Sequence, residues 1–259
     1  MLTISIVTIC FNNLEDLIKT CKSVDAQTNL PFEHWIINGS SNAEIAEWID
    51  GAPQPAYRKW INERDKGIAD AFNKGIAKSN GEVVHILNSG DIYASKDVLE
   101  SLKNIFEINK EVQWVSGKIK LKRSGEWIEI GKPFEASKVY KGMRSVSHPT
   151  WFVKKELYNK VGEYKTYKIA MDYDMMCRIA NAPYFFINKT IAVFDDTGVS
   201  SNNYLESLKE NIVVYESNFG YSLKCRLWQF RLKMLHILLQ SSIGKLLFKW
   251  KRKLNMENV

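Results

Sequence analysis

Three stretches of the 259-residue chain gather side chains able to do chemistry. The first is Asn88-Ser89-Gly90-Asp91, directly behind the apolar run Val83–Leu87. A carboxylate at a strand's C-terminal end, preceded by glycine, can reach a divalent cation that bridges a diphosphate. An ordinary polar turn uses the same residues. The second runs from Glu63-Arg64-Asp65-Lys66-Gly67 into the small-residue segment Ile68–Ala77. Here Ala69, Phe72 and Ile76, or Ala71 and Gly75, can lie against a sheet while Glu63 and Asp65 stay at its rim; a capped surface helix is the alternative. The third is His148-Pro149, followed by Met171-Asp172-Tyr173-Asp174. Asp172 opens an apolar helix, where a carboxylate either caps the N-terminus or takes a proton from a hydroxyl.

The elements that must position these groups alternate in type. Strands are expected at Ile4–Cys10, Phe32–Ile37, Tyr57–Asn62 and Glu82–Leu87, with helices over 14–26, 43–50 and Ile68–Lys78 between them. Such alternation predicts βαβ units and a mainly parallel, doubly wound α/β sheet. Ligands of these sheets bind beyond the strands' carboxyl ends, which puts Phe11, Asn38, Asp65 and Asn88–Asp91 on one rim. After residue 110 the pattern predicts a hairpin (Val112–Leu121 with Trp127–Ile130) and a strand at Thr150–Val153. A helix from Lys154, another over Met171–Ala180, and one or two strands in Tyr184–Val193 follow. Lys154 and Lys155 read as solvated charges.

Composition limits the classes open to the chain. At 45% apolar and 25% charged residues it can fill a core and is not disordered as a whole. Four scattered cysteines without CxxC spacing speak against a disulfide framework or a zinc site, and for a reducing compartment. The opening MLTISIVTIC reads as a strand, and no run of about 18 apolar residues predicts a membrane span. A cytoplasmic protein is the expectation.

The net charge of +7 is local. Residues 224–259 hold nine of the 36 Lys/Arg but one of the 29 Asp/Glu, leaving 27 against 28 in residues 1–223. The expected partition is therefore a catalytic domain, 1–221, and a basic amphipathic helical tail, 222–259. On a helix over 222–240, Ser222, Arg226, Gln229, Lys233, His236 and Gln240 form one polar stripe in an otherwise apolar surface interrupted by Lys224 and Arg231. A second basic segment spans 243–254. Two readings stand: attachment to an anionic membrane surface, or packing on the body or a partner subunit with the stripe facing water. The neutral body argues against nucleic acid.

Taken in order, these stretches resemble family 2 glycosyltransferases of the GT-A fold over most of residues 1–200. The nearest likeness is to the branch that builds bacterial O-antigens and capsules. The match is carried by Ser5-Ile6-Val7-Thr8-Ile9-Cys10-Phe11-Asn12, by Glu63 through Gly75, by Leu87-Asn88-Ser89-Gly90-Asp91 and by Met171-Asp172-Tyr173-Asp174. The resemblance implies an inverting transfer from a nucleotide-diphosphate sugar to a polyprenyl-diphosphate-linked or glycan acceptor, at the inner face of the membrane. It places Thr8, Phe11, Asn38, Asp65, Lys66, Asn88, Gly90 and His148 about the donor, Asp91 on Mg²⁺ or Mn²⁺, and Asp172 as the general base. A structural role for His148 is the alternative. The chain departs from the family pattern at Asn38, where an Asp is usual, at Asn88 and Gly90 in the Asp-x-Asp motif, and at Met171 in the acidic pair. These losses leave open a non-catalytic, nucleotide-sugar-binding scaffold.

Overall fold

β-branched and aliphatic residues dominate β1 (Ile4–Cys10), buried on both faces as the centre of a parallel sheet requires. The computed structural model describes residues 2–123, 126–143, 146–195 and 203–241. From β1 the chain runs through α1 (Leu14–Asp25), β2 (Glu33–Asn38), α2 (Glu44–Gly51), β3 (Arg58–Asn62), α3 (Ile68–Lys78) and β4 (Val83–Ile86). The four strands are parallel in the order β3-β2-β1-β4. Cys10 pairs with Asn38 and Asn38 with Asn62, so the strands end in line and their following loops share one rim.

The second half makes the sheet mixed. It comprises β5 (Ile92–Tyr93), α4 (Val98–Ile108), β6 (Trp114–Arg123), β7 (Glu126–Ile130), β8 (Phe152–Lys154), α5 (Lys155–Val161), α6 (Met171–Ile179) and β9 (Tyr184–Asp195). Strand β8 is antiparallel to β4 and β6, β9 is parallel to β6, and β7 folds back on β6 as the expected hairpin. The stretch read as one or two strands is the single strand β9. Trp114, Trp151 and Phe152 are almost wholly buried along the seam of the two halves. Each such side chain contributes about 1.5–3 kcal/mol through burial. The result is the mixed, helix-flanked sheet of a GT-A fold.

Two helices follow, α7 (Tyr204–Phe219) and α8 (Leu223–Gln240). Ser222 caps α8, its Oγ accepting the Cys225 N–H at 3.1 Å. Cys225, Gln229 and Leu232 are buried, and Gln229 Nε2 donates to the Tyr140 carbonyl at 3.2 Å. The polar stripe is divided: Gln229 is buried on the body and the His236 ring lies 4.9 Å from that of Tyr204, whereas Arg226, paired with Glu216 at 2.7 Å, Lys233 and Gln240 are exposed. The packed alternative, which put the whole stripe in water, therefore fails at Gln229. No helix among the described residues is long and apolar enough to cross a membrane. The second basic segment, 243–254, lies outside the described residues.

Candidate active site

The rim opens with Phe11, 60% exposed beyond β1, where its ring is free to stack. Asn12, in the left-handed region at φ 53°, ties this loop to the one after β2. Its Oδ1 accepts the Ser41 N–H at 3.1 Å, and its own N–H donates to Ser40 Oγ at 2.9 Å. Asp65 closes over the same loop: a Cβ on Gly39 would fall 1.8 Å from Asp65 Oδ2, so only glycine lets the carboxylate approach. Asp65 Oδ1 accepts the Gly67 N–H at 2.9 Å. The Lys66 backbone N–H donates to Asp70, at 2.9 Å, while its side chain is exposed.

Two residues expected at the donor lie beneath it. Thr8 is fully buried with its hydroxyl 2.9 Å from His34 Nε2, so its side chain braces β1 against β2 instead of meeting a ligand. Burial and the nearby Arg58 depress the His34 pKa to about 3, which keeps that ring neutral. Asn38 is also buried; its Oδ1 accepts the Ser40 N–H at 3.1 Å and its Nδ2 donates to Asn62 Oδ1 at 3.0 Å. Its amide shapes the loop under Asp65.

Beyond β4, Asn88, Ser89 and Asp91 each turn a side-chain oxygen into a buried position without a hydrogen-bond partner among the described residues. Thr20 of α1 holds this turn: its Oγ1 accepts the Gly90 N–H at 2.9 Å and donates to the Asp91 carbonyl at 2.8 Å. Gly90 has φ 103°, which brings Asp91 back under the rim. Burial pushes the Asp91 carboxyl up to about 7, against the pull of a backbone hydrogen bond. Unpartnered buried oxygens are costly unless something satisfies them. Amide, hydroxyl and carboxylate oxygens suit a hard divalent cation such as Mg²⁺ or Mn²⁺. No cluster of three His, Cys, Asp or Glu exists among the described residues, so much of the negative charge on such an ion would have to come from a bound diphosphate.

Asp172 sits in the first turn of α6 with its side chain 27% exposed, while its Oδ1 is buried and unpartnered among the described residues. Burial raises its pKa, and His148, whose Nε2 lies 3.8 Å from Oδ1, pulls it the other way. The resemblance put His148 at the donor; in the structure its ring is buried beside Asp172. Its ring stacks on Phe72 at 5.1 Å and its Nε2 lies 3.0 Å from the Tyr164 hydroxyl. Burial lowers its pKa, and the Asp172 carboxylate pulls it back up. Asn73, beside Phe72 on α3, fixes Tyr164 by bonds to its backbone N–H and carbonyl at 2.8 and 2.9 Å. The stretch from Glu63 to Gly75 therefore serves both ends of the site: Asp65 at the rim, Phe72 and Asn73 behind Asp172. Asp174 is fully buried with Arg178, Lys165 and Asn218 around it, a structural carboxylate.

Several supports escape sequence reading. Glu210 of α7 accepts the backbone N–H groups of Lys168, Ile169 and Ala170 at 3.1, 2.8 and 2.9 Å, pinning the loop that delivers Asp172. Thr20, Asn73 and Glu210 sit in helices whose periodicity shows a face but not a partner. Lys154 and Lys155 are not solvated: Lys154 Nζ donates to the Lys110 carbonyl at 2.6 Å, and Lys155 Nζ caps α3 through the Ile76 carbonyl at 2.9 Å and that of Ser79.

A family model described as glycosyl transferase family 2 matches residues 5–162. An uncharacterized glycosyltransferase of Mycobacterium tuberculosis is 31% identical over 205 residues, covering 77% of this chain and 78% of its own. A PGL/p-HBAD biosynthesis glycosyltransferase of Mycobacterium bovis is 23% identical over 202 residues, 75% of this chain and 77% of its own. Among solved structures, S. aureus TarS 1-349 superposes with TM-score 0.63 at 14% identity, covering 88% of this chain and 69% of its own. The mannosyltransferase PcManGT of Pyrobaculum calidifontis, in complex with GDP-Man and Mn²⁺, gives TM-score 0.62 at 13% identity over 99% of this chain and 81% of its own. With the ordered motifs and the sheet that carries them, this match establishes that the chain belongs to glycosyl transferase family 2.

Proposed function

We propose that the protein is an inverting glycosyltransferase that moves a sugar, of the hexosyl or N-acetylhexosaminyl type, from a nucleotide-diphosphate donor to a lipid-linked or glycan acceptor. The observation that carries this reading is that two carboxylates, Asp91 and Asp172, are each held with a buried oxygen that has no partner among the described residues. A scaffold that only held a nucleotide sugar would have no use for the second. Phe11 and Asp65 take the nucleoside, and a uridine donor is favoured, a choice supported by TarS, which has been solved with UDP-GlcNAc.

In the reaction the acceptor hydroxyl oxygen attacks the anomeric carbon while the bond from that carbon to the diphosphate oxygen breaks. The hydroxyl proton passes to the Asp172 carboxylate, and the nucleoside diphosphate leaves. His148 orients Asp172 and keeps water from its buried oxygen, and Glu210 fixes the loop. Asn88, Ser89 and Asp91 would hold a Mg²⁺ or Mn²⁺ ion, which when bound neutralises charge on the departing diphosphate.

The setting we propose is bacterial surface-glycan synthesis of the O-antigen or capsule type, on the cytoplasmic face of the cell membrane, where a polyprenyl-diphosphate-linked acceptor would be met. The basic tail supports that placement. Thermal unfolding across a panel of nucleotide sugars, with and without Mn²⁺, identifies the donor, because a ligand raises the transition by mass action. Product stereochemistry by NMR then tests inversion. A product that keeps the donor's anomeric configuration would refute the single displacement.

A further inference from the structure

Helix α8 presents the reverse of an ordinary surface helix. Cys225, Gln229 and Leu232 face the body, whereas Leu223, Leu227, Phe230, Met234, Ile237 and Leu238 point outward, each between 45% and 59% exposed. Successive members of this outer set are separated by 4, 3, 4, 3 and 1 residues, so they form one continuous arc on the helix. Water-soluble surfaces rarely leave such an arc uncovered. Basic residues border it on both sides. Lys224 and Arg231, seven residues apart, run down one edge, and Arg226 and Lys233, also seven apart, down the other.

The first edge joins the body. Lys141, from the turn Ala136–Lys141, places its Nζ 4.6 Å from the Trp228 ring centroid and 5.7 Å from that of Tyr140. Lys224 Nζ stands 4.3 Å over Tyr140 and Arg231 Cζ 5.2 Å over Trp228. Three cations thus gather around two adjoining aromatic rings. Among the described residues none of the three forms an ion pair. We infer that the outer arc of α8 docks on an anionic phospholipid surface, with Lys141, Lys224 and Arg231 forming a seat for lipid phosphates beside it.

The chemistry favours a bilayer over a second copy of the chain. A dry interface between two copies would bring these cations against their own kind, whereas at a bilayer the aliphatic stems lie along the apolar boundary and the charged ends reach phosphate. The remaining basic residues of the tail, Lys245 through Lys253, carry the same sign. This inference rests on the membrane location proposed above and assigns it a face.

The test is co-sedimentation of the full chain with vesicles of phosphatidylcholine alone or mixed with phosphatidylglycerol, over a salt series. Two sets are varied, Lys141→Gln/Lys224→Gln/Arg231→Gln and Leu227→Gln/Phe230→Gln/Met234→Gln, all exposed but the half-buried Lys141, with mass in solution measured by light scattering. The charge triple should weaken binding to phosphatidylglycerol vesicles about tenfold to hundredfold and flatten its salt dependence. The apolar triple should remove the fraction that resists high salt. Both triples binding as the parent chain does would assign attachment to another segment and overturn the face while sparing the location. No binding by the parent chain would overturn both. An apolar triple that splits a dimer and leaves vesicle binding intact would give the arc to a second copy instead.

Discussion

Oδ1 of Asp172 stands 3.8 Å from Nε2 of His148 and has no hydrogen-bond partner among the described residues. The imidazole is committed to Tyr164 and to its stack on Phe72, so it sits near the carboxylate without neutralising it. A first-turn carboxylate usually reaches back to N–H groups at the helix start. Here Glu210 has already taken the Ala170 N–H. What remains is a carboxylate whose Oδ1 meets no competing donor among the described residues, as a proton acceptor requires.

Replacing Asp172 by Asn keeps the shape and removes the acceptor. Turnover should fall about 10²–10⁴-fold, while donor affinity by calorimetry stays within experimental error of the parent. Substantial residual transfer would take the role of base from Asp172.

The same burial has a consequence for stability. A carboxyl whose folded-state pKa is raised contributes stability below its unfolded pKa and loses it as pH climbs through the folded value. The ionised form of Asp172 is therefore a cost, and Asp172→Asn should raise Tm once pH has climbed through the folded value, with the gain vanishing below about pH 4. The catalytic pH profile should show its acid limb above the ordinary carboxylate range. Removing the downward pull of His148 by His148→Phe should move that limb to higher pH. A limb unmoved by that change would separate His148 from the base.

For Asp91 the effect is on binding. Asp91→Ala removes the one carboxylate of its turn, so Mn²⁺-dependent affinity for the nucleotide sugar should be lost along with turnover, while metal-free affinity for the nucleoside changes little. Unchanged calorimetric affinity in Mn²⁺ would contradict the assignment.

Glu210→Ala frees three backbone N–H groups. Hydrogen exchange at residues 168–170 should quicken, and kcat should drop about 10- to 100-fold through misplacement of Asp172, with donor KM unaffected. Glu210→Gln, which keeps an acceptor oxygen, should recover part of the rate.

The parallel half of the sheet was legible because strand and helix periods alternate cleanly from β1 to β4, and because turns rich in Asn, Ser, Gly and Asp close the strands. The start of α8 was legible to within one residue, but Ser222, read as part of the helix's polar stripe, is its cap. Helix α4 carries a readable signal, Val98, Leu99, Leu102 and Phe106 behind Asp97, yet the sequence reading placed no element there. Helix α7 is harder: much of its inner face is polar, with Glu206, Glu210 and Asn218 engaging Lys168, the Asp172 loop and Asp174, so no apolar stripe marks it. Asn38 looks like a rim residue in the sequence and Thr8 was put at the donor by resemblance; both are buried in the fold, where the pairing of β1, β2 and β3 covers them. The orientation of α8 was likewise beyond periodicity, which finds two faces and cannot say which one meets the body.

The central claim is that a nucleotide sugar is turned over with Asp172 as base. Release of nucleoside diphosphate, measured in a single turnover with Mn²⁺ for the full chain and for Asp172→Asn across uridine and guanosine diphosphate sugars, tests it most directly. The account predicts release by the parent chain with one donor, and binding of that donor without release by the variant. Equal release by both proteins, or binding without release by either in the presence of acceptor, would contradict it.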